Sequence, residues 1–519
     1  MPRFSDSEDA DEEFYSYQAY CHNRRRTLMS KRFVVFFLCA TLASAVVVEF
    51  LPFKILNSNV SLRSLIKKTT DLQFGKQPTY AIYSNSPKED HLVHVKNVLS
   101  YLGYRRVPFE DDWDLLWAHD YPYLRLPERM KNLEPHQTVN HLPGCGFLTN
   151  KVDLCTTPLP FLPRAFRLPS EQEEFLKYAM NNLGALFVEK NNQHRLIAIR
   201  SPNEINLDSN DSFVQEYIQN PFLVNGYKFD IGAYVVITSV NPLRAYIYKG
   251  DILFRYCPVK YYPFDPSIVD KYVVGDDYLP TWEVPSLKKY YIRYSGSMRA
   301  AFDAYVRDQS LDPSGIWTQV EDIIRRTIIS KEQDIARLLR SYKTQNFFEL
   351  MRFDLIIDKD LKVILMEANM SPNLSSAHFK PNSLLYEQIL YSALNLVGIG
   401  SPIKHKTKDR CEDMTQMLAS EKNLAVDLNT CVEHDCDKSC NAEECSLCLP
   451  CLTGTEYKIL EKAHEEHLHK MDMKRIFPKP ILDLDTYNLQ EEIGNMTKTN
   501  AWMTKWFYEK CKFDQSWCG

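Results

Sequence analysis

The chain has 519 residues, of which 45% are hydrophobic and 25% are charged, and its formal net charge is −5 at pH 7. This length exceeds what one hydrophobic core usually organises, so we expect two or three folded units and exclude a chain that is disordered throughout. Because basic residues are not in excess, we expect no nucleic-acid partner.

The N-terminal segment predicts a tail followed by a membrane anchor. Residues 1–32 are acidic and then basic, with too few apolar residues to form a core, which predicts disorder. Residues 33–53, FVVFFLCATLASAVVVEFLPF, are long and apolar enough to cross a bilayer as one transmembrane helix. The basic residues directly before them are Arg24, Arg25, Arg26, Lys31 and Arg32.

This charge asymmetry predicts a single-pass type II protein with a cytosolic N-terminus, and it places the rest of the chain in the lumen or outside the cell. The alternatives for the apolar segment are a buried core helix and a cleaved signal peptide. Tripeptides that can accept N-linked glycans begin at Asn59, Asn210 and Asn495, and they would be usable if this part of the chain is luminal.

From residue 79 onward, short apolar segments alternate with helical patterns, which predicts an α/β fold. We expect an N-terminal α/β subdomain over residues 79–160, a core over residues 161–395 and a Cys-rich C-terminal extension over residues 396–519. Within the core, RAYIYKGDILFRY predicts a hairpin that turns at Lys249-Gly250-Asp251.

Six cysteines crowd into one short stretch of the extension: Cys431, Cys436, Cys440, Cys445, Cys448 and Cys451. In an oxidising compartment this pattern indicates disulfides, and in the cytosol it indicates thiolate ligands for zinc. The predicted anchor favours disulfides, whose pairing the sequence does not determine.

The segments FDLIID and KVILME predict an antiparallel pair of strands with polar residues at one end. Glu367 and Asn369 are two residues apart and therefore lie on one face of their strand, near Asp354 of the other strand. Oxygen ligands of this kind suit Mg²⁺ that is shared with nucleotide phosphates. The alternative is that these residues are solvated strand ends, and the residues alone leave both interpretations open.

Five segments of the chain carry an ordered set of motifs. DWDLLW, VNHLPG and FLTNKVDL resemble the motifs W-x-x-L-W, N-H-F-P and L-T-R-K-D-L. FVQEYIQNPFLVNGYKFDIGAYVVITSVNPLRAYIY resembles Q-x-Y-I-x-x-P-x-L-I-x-G-x-K-F-D-L-R-x-Y-V…P-L-R-I-Y, and FELMRFDLIID…VILMEANMSPNLS resembles F-E-x-x-G-F-D…L-L-E-V-N-x-S-P. Together they resemble the tubulin–tyrosine-ligase-like family over roughly residues 79–395.

This resemblance implies an ATP-grasp fold and an ATP-dependent carboxylate–amine ligase of the tubulin polyglutamylase type. Such an enzyme adds free glutamate to glutamate side chains of tubulin tails, or of another acidic protein, through an acyl-phosphate intermediate. The implied cofactors are ATP and Mg²⁺. The membrane would be a further partner through residues 33–53.

The resemblance also assigns roles to individual residues. The implied phosphate contacts are Lys190 and Lys228, and the implied adenine hinge consists of Gln215, Glu216, Tyr217 and Ile218. Asp230 would orient nucleotide groups, and Arg244 would steady the transferring phosphoryl group. The implied Mg²⁺ ligands are Asp354, Glu367 and Asn369. Lys228, Asp230 and Arg244 are therefore the implied catalytic residues.

Two departures from the family pattern keep alternative functions open. Gly232 stands where K-F-D-L-R carries arginine, and the segment NNQHRLIAI contains no glycine where the family has a Gly-rich phosphate turn. Arg195 or Arg255 is a candidate to compensate for the missing guanidinium. One alternative is a catalytically weak or inactive, membrane-anchored ATP-grasp binding protein. The other is a ligase that acts on a protein of the secretory pathway.

Overall fold

The structure of the protein is a computed structural model that describes residues 77–191, 198–208, 212–400 and 421–519. Among these, residues 78–400 and 466–519 form one compact unit, and residues 421–465 belong to another. The predicted tail and anchor, residues 1–32 and 33–53, lie outside the described residues.

The strands, in chain order, are β1 (Thr79–Tyr83), β2 (Arg105–Arg106), β3 (Leu115–Ala118), β4 (Thr138–Val139), β5 (Ala165–Leu168), β6 (Phe187–Asn191), β7 (Ala198–Arg200), β8 (Ser212–Glu216), β9 (Phe229–Val240), β10 (Leu243–Tyr248), β11 (Leu253–Tyr256), β12 (Leu279–Pro280), β13 (Glu349–Ile357), β14 (Val363–Met370) and β15 (Met473–Phe477). The α-helices are α1 (Val93–Tyr101), α2 (Pro127–Lys131), α3 (Gly146–Thr149), α4 (Lys151–Cys155), α5 (Gln172–Asn181), α6 (Pro285–Arg293), α7 (Met298–Asp308), α8 (Ser314–Leu339), α9 (Asn382–Leu396), α10 (Glu421–Leu424), α11 (Leu428–Glu433), α12 (Gly454–His469), α13 (Leu489–Ile493) and α14 (Lys498–Phe513).

The first sheet is parallel and has the strand order β2-β1-β3-β4. Its two central strands, TYAIY and LLWA, are almost entirely buried, as expected for parallel strands that are covered on both faces. Helix α1 connects β1 to β2 and buries Val95, Val98 and Leu99. The alternation of apolar segments and helical patterns in the sequence is therefore confirmed as α/β structure.

The second sheet is antiparallel and has the order β5-β8-β6-β7. Helix α5 covers it, with Phe175 packed edge-to-face against Phe166 of β5 and Phe187 of β6. This small sheet has its own apolar core, and the end of β8 carries the segment that the sequence predicts as the adenine hinge.

The largest sheet is organised around the long strand β9. Strand β13 pairs with one side of β9, and β14 pairs with β13. Strands β11 and β10 pair with residues 229–232 and 235–240 of β9, so they follow its other side end to end. The predicted hairpin between RAYIY and DILFRY is therefore wrong, because both strands pair with β9 instead of with each other.

The chain between β10 and β11 has another role. The carboxylate of Asp251, which was expected in a tight turn, accepts hydrogen bonds from the backbone N–H groups of Met298 and Arg299 at 2.9 Å. It thereby satisfies donors in the first turn of α7, which have no partner within the helix. This capping contact joins the segment between β10 and β11 to the start of α7.

The C-terminal segment of the chain completes the largest sheet. Strand β15, which falls within the predicted extension, pairs antiparallel with β10. Helix α8 packs against this sheet with an apolar stripe that includes Ile316, Val320 and Ile324. Residues far apart in sequence thus hold β9 and its neighbours in place.

The cysteine cluster forms three disulfides within the unit that contains residues 421–465. The pairs are Cys431–Cys448, Cys436–Cys445 and Cys440–Cys451. A fourth disulfide, Cys511–Cys518, joins the end of α14 to the C-terminal residues. The structure therefore confirms disulfides over zinc ligands for the crowded cysteines, and it supplies the pairing that the sequence left open.

Within the described part of the chain, no helix combines the length and the apolar character needed to cross a membrane.

Candidate active site

Two carboxylates and one amide meet on the hairpin formed by β13 and β14. Asp354 and Glu367 are direct cross-strand partners, and Asn369 lies two residues further along β14. Its Nδ2 atom donates to Asp354 Oδ2 at 3.1 Å and to Glu367 Oε1 at 3.2 Å. The structure thus brings together the three side chains that the sequence predicts as Mg²⁺ ligands.

Two guanidinium groups balance the charge of Asp354. Asp354 is buried, with only 2% of the residue exposed. Arg352 donates from Nε to Oδ1 at 2.6 Å and from Nη2 to Oδ2 at 2.8 Å, while Arg255 of β11 donates from Nη2 to Oδ2 at 3.1 Å. Burial raises the pKa of the Asp354 carboxyl, and both cations oppose this effect. A buried carboxylate requires such partners.

Glu367 has its own cation. The Nζ atom of Lys151, at the start of α4, lies 2.9 Å from Glu367 Oε2. Burial raises the pKa of the Glu367 carboxyl, but the Lys151 ammonium and the Asn369 amide outweigh burial and lower the pKa to about 2. Glu367 is therefore ionised throughout the physiological pH range.

Asp230 joins the cluster through Arg255. These residues are direct partners on β9 and β11, and Arg255 donates from Nε and Nη2 to the two Asp230 oxygens, both at 2.8 Å. Burial lowers the pKa of Arg255, but Asp230 and Asp354 outweigh burial and raise it above its ordinary value. Arg255 thus bridges two carboxylates on adjacent strands.

Lys228 lies at the edge of the same region, two residues before Asp230. Its side chain is buried, and Nζ donates to the backbone oxygen of Tyr272 at 2.7 Å. Burial lowers the pKa of this ammonium, and the nearby Asp230 carboxylate opposes the shift. The structure therefore places the buried amine of Lys228 beside the cluster.

The predicted adenine hinge lies where β8 ends. Gln215 and Glu216 are the last residues of β8, and Tyr217 and Ile218 follow it. The backbone N–H of Glu216 donates to Arg164 O and that of Tyr217 donates to Leu186 O, both at 2.8 Å. These two amides are therefore engaged with the residues that directly precede β5 and β6.

Arg244 is the predicted catalytic residue that the structure does not bring to the cluster. It pairs with Ser239, seven residues along β9 from Gly232, or about 23 Å away at 3.3 Å per residue. Its guanidinium is buried and makes hydrogen bonds of 2.8 and 3.0 Å to Glu466, which Tyr246 also contacts. In this arrangement Arg244 is one half of a structural ion pair.

Lys190 belongs to β6, but its side chain lies outside the described part of the structure, and so does the whole of Arg195.

The sequence interpretation missed two members of the cluster, Lys151 and Arg352, and considered Arg255 only as a substitute cation. A signal for Arg352 was present, because it precedes Asp354 by two residues and so shares its face of the strand.

The carboxylates of Asp354 and Glu367 fit Mg²⁺. This hard cation prefers oxygen ligands and usually binds through one or two carboxylates together with substrate phosphates. Asn369 turns its Nδ2 atom toward both carboxylates in this structure, and it would coordinate through Oδ1 after rotation of its amide. The amide of Asn369 already holds both carboxylates within hydrogen-bond distance of itself. Arg352, Arg255 and Lys151 supply the surrounding positive charge that phosphate groups require.

Comparison with known sequences identifies the family. The profile of the tubulin-tyrosine ligase family matches residues 128–409, which include every residue of this cluster. The chain belongs to this family. Among curated relatives, the probable tubulin polyglutamylase ttll-15 of Caenorhabditis elegans is 41% identical over 441 residues, which cover 82% of this chain and 84% of the relative.

More distant members of the family match a smaller part of their own length. The mouse tubulin polyglutamylase TTLL6 is 29% identical over 64% of this chain and 42% of the relative. The human tubulin polyglutamylase TTLL5 is 31% identical over 54% of this chain and 23% of the relative. The family assignment therefore rests on the region that contains the cluster.

Proposed function

We propose that the protein is an ATP-dependent carboxylate–amine ligase that adds free glutamate to glutamate side chains of tubulin tails. The proposal rests mainly on one observation in this member of the tubulin-tyrosine ligase family. The carboxylates of Asp354 and Glu367 and the amide of Asn369 converge on β13 and β14. Three cationic side chains surround them: Arg255, Arg352 and Lys151. Relatives that carry the name tubulin polyglutamylase support the choice of reaction.

In this proposal Asp354, Glu367 and Asn369 hold Mg²⁺, which when bound supplies positive charge against the ATP phosphates. Arg255 positions Asp230 and Asp354 relative to each other through hydrogen bonds to both carboxylates. Lys228 and Lys190 contact phosphates, and the segment from Gln215 to Ile218 receives adenine.

The chemistry explains why the site needs this charge. An ionised carboxylate resists attack by an amine, so the γ-phosphoryl group of ATP is first transferred to a carboxylate oxygen of the acceptor, and ADP leaves with the electron pair of the broken P–O bond. The amine of glutamate, which has lost its ammonium proton to solvent, then attacks the acyl carbon and forms the amide bond. Phosphate leaves with the electron pair of the broken C–O bond, and the nitrogen loses its second proton to solvent. Fixed cations stabilise the negative charge on the phosphates in both steps.

The disulfides favour a second acceptor class. Four disulfides within the described residues are typical of proteins that fold in an oxidising compartment. In this alternative, residues 33–53 anchor the chain as a type II membrane protein and place the ligase domain on the luminal side. The acceptor would then be an acidic protein of the secretory pathway instead of tubulin.

Labelled glutamate tests the reaction and the acceptor together. The full chain is incubated with ATP, Mg²⁺ and labelled glutamate, together with either purified tubulin or a lysate fraction of luminal proteins. We expect incorporation into tubulin that depends on ATP and Mg²⁺. Incorporation only into luminal proteins would support the second acceptor class, and no incorporation into either would overturn the proposed ligase.

A further inference from the structure

Gly232 leaves a space that an arginine of the neighbouring strand occupies. Gly232 of β9 is the direct partner of Asp354 on β13. A Cβ atom at position 232 would lie 2.9 Å from Cδ of Arg352 and 3.4 Å from its Cγ. The first distance is shorter than a normal van der Waals contact, so a side chain at position 232 and the present position of Arg352 exclude each other.

Arg352 uses this space to reach its carboxylate. It lies on β13 opposite Tyr234, so its side chain must lean over Gly232 to meet Asp354 two residues further along the same strand. The resulting contact is bidentate, with distances of 2.6 and 2.8 Å, and the residue is 8% exposed. The position of the Arg352 side chain therefore depends on the absence of a side chain at Gly232.

The family motifs carry the opposite arrangement at the same two positions. K-F-D-L-R has arginine at the position of Gly232, and F-E-x-x-G-F-D has glycine at the position of Arg352. In this chain the sequences are KFDIG and FELMRFD. Because positions 232 and 352 lie on adjacent strands and share one space, exchanging the two residues moves the origin of the guanidinium from β9 to β13 and keeps a cation over the same part of the sheet.

We propose that Arg352 supplies, from β13, the phosphate-facing cation that the family motif places at position 232 on β9. This inference rests on the proposed ATP-dependent function. It removes one of the two reasons to regard the chain as inactive, because the guanidinium missing at Gly232 is present in the site. A guanidinium has five N–H donors, so it can keep a hydrogen bond to Asp354 and also contact phosphate oxygens.

The competing explanation is that Arg352 only neutralises a buried carboxylate. In that case its loss would reduce the stability of the fold, but folded protein would keep its affinity for MgATP. Nucleotide affinity and thermal stability, measured on the same variants, therefore separate the two roles.

The test compares wild type with R352G, R352K, G232R and the exchange variant G232R/R352G. The control is R337A, because the Arg337 side chain on α8 is 72% exposed. For each variant, the melting temperature, the dissociation constant of Mg²⁺ with a non-hydrolysable ATP analogue, and kcat for glutamate incorporation are measured. R352K keeps the positive charge but loses the guanidinium group, and it replaces R352G in the comparison if R352G does not fold.

We expect R352G to bind the nucleotide at least about 10-fold more weakly and to lose about 100-fold in kcat, as when one charge-stabilising donor is removed from an active site. The nucleotide affinity and kcat of R352K should lie between those of wild type and R352G. G232R should also be impaired, because two guanidinium groups compete for one space. The exchange variant should regain at least about 10-fold of the kcat that R352G loses.

Wild-type nucleotide affinity and kcat in folded R352G would overturn the inference. An exchange variant with the melting temperature of wild type but the kcat and nucleotide affinity of R352G would also overturn it. If the wild type binds the nucleotide but incorporates no glutamate, the proposed ligase function fails and the inference about Arg352 is judged by the dissociation constants. If the wild type binds no nucleotide, both proposals fail.

Discussion

Asp354 and Glu367 are direct partners across the β13–β14 hairpin, yet their surroundings shift their pKa values in opposite directions. Burial raises the pKa of both carboxyl groups. At Glu367 the ammonium of Lys151 outweighs burial and lowers the pKa to about 2, whereas the pKa of Asp354 stays above its ordinary value. One permanent carboxylate thus lies beside one whose charge depends on the neighbouring guanidinium groups.

The low pKa of Glu367 predicts a pH-dependent contribution to stability. Because the pKa is about 2 in the folded protein and 4.5 ordinarily, folding favours the ionised form. The contribution is fully present above pH 4.5 and is lost as the pH falls towards 2. The measurement is the free energy of unfolding of wild type and Glu367→Gln across this window, without Mg²⁺.

We expect the difference between these two proteins to shrink steadily below pH 4.5. Glu128→Gln is the control, because the Glu128 side chain is 83% exposed and its replacement should leave the pH dependence unchanged. A wild type and a Glu367→Gln variant that show parallel curves through this window would contradict the assignment.

The Arg244–Glu466 pair predicts a stability effect without an effect on nucleotide binding. Both side chains are buried, so Glu466→Gln leaves the Arg244 guanidinium without its counter-charge and should cost about 3–5 kcal/mol of stability. The dissociation constant for MgATP should not change, because Arg244 pairs with Ser239, away from Gly232 along β9. Chemical denaturation and nucleotide titration measure the two effects.

An exposed ion pair provides the control for this variant. The side chains of Lys289 and Asp308 are 68% and 55% exposed, so Asp308→Asn should change the stability by at most about 1 kcal/mol. Weaker nucleotide binding by Glu466→Gln at unchanged stability would instead favour the role of Arg244 that the sequence predicted.

Asn495 provides a test of the predicted topology. It is exposed and is followed by Met496 and Thr497, so it can accept an N-linked glycan if the domain is luminal. If the acceptor is a protein of the secretory pathway, the chain, expressed with its own N-terminus, should shift in gel mobility after glycosidase treatment. Asn495→Gln should remove the part of the shift that is due to this site. A wild-type chain with no shift would place the domain in the cytosol.

The sequence predicted local features of the fold better than strand pairing. TYAIY, FDLIID and KVILME carry apolar patterns that define strands on their own, and the last two are confirmed as partners. The hairpin between β10 and β11 was wrong because a short turn-like segment, Lys249-Gly250-Asp251, does not show that the flanking strands follow one side of β9. That information lies in contacts between distant segments.

The same distinction applies to the site. Asp354, Glu367 and Asn369 could be predicted because two short strands with period-two spacing bring them together. Lys151 approaches Glu367 from a helix more than 200 residues earlier in the chain, which local spacing does not reveal. Arg244 matched a motif, yet its partner Glu466 comes from a C-terminal segment that lies outside the motif region.

In the proposed function, the β13–β14 carboxylates form the metal–nucleotide site of a glutamate ligase. The most direct test compares Asp354→Asn with Asp360→Asn, which alters an exposed carboxylate at the turn of the same hairpin, in the labelled-glutamate assay with ATP and Mg²⁺. We predict at least about 100-fold less incorporation for Asp354→Asn and wild-type incorporation for Asp360→Asn. Equal incorporation by wild type and a folded Asp354→Asn variant would show that these carboxylates do not form the metal–nucleotide site.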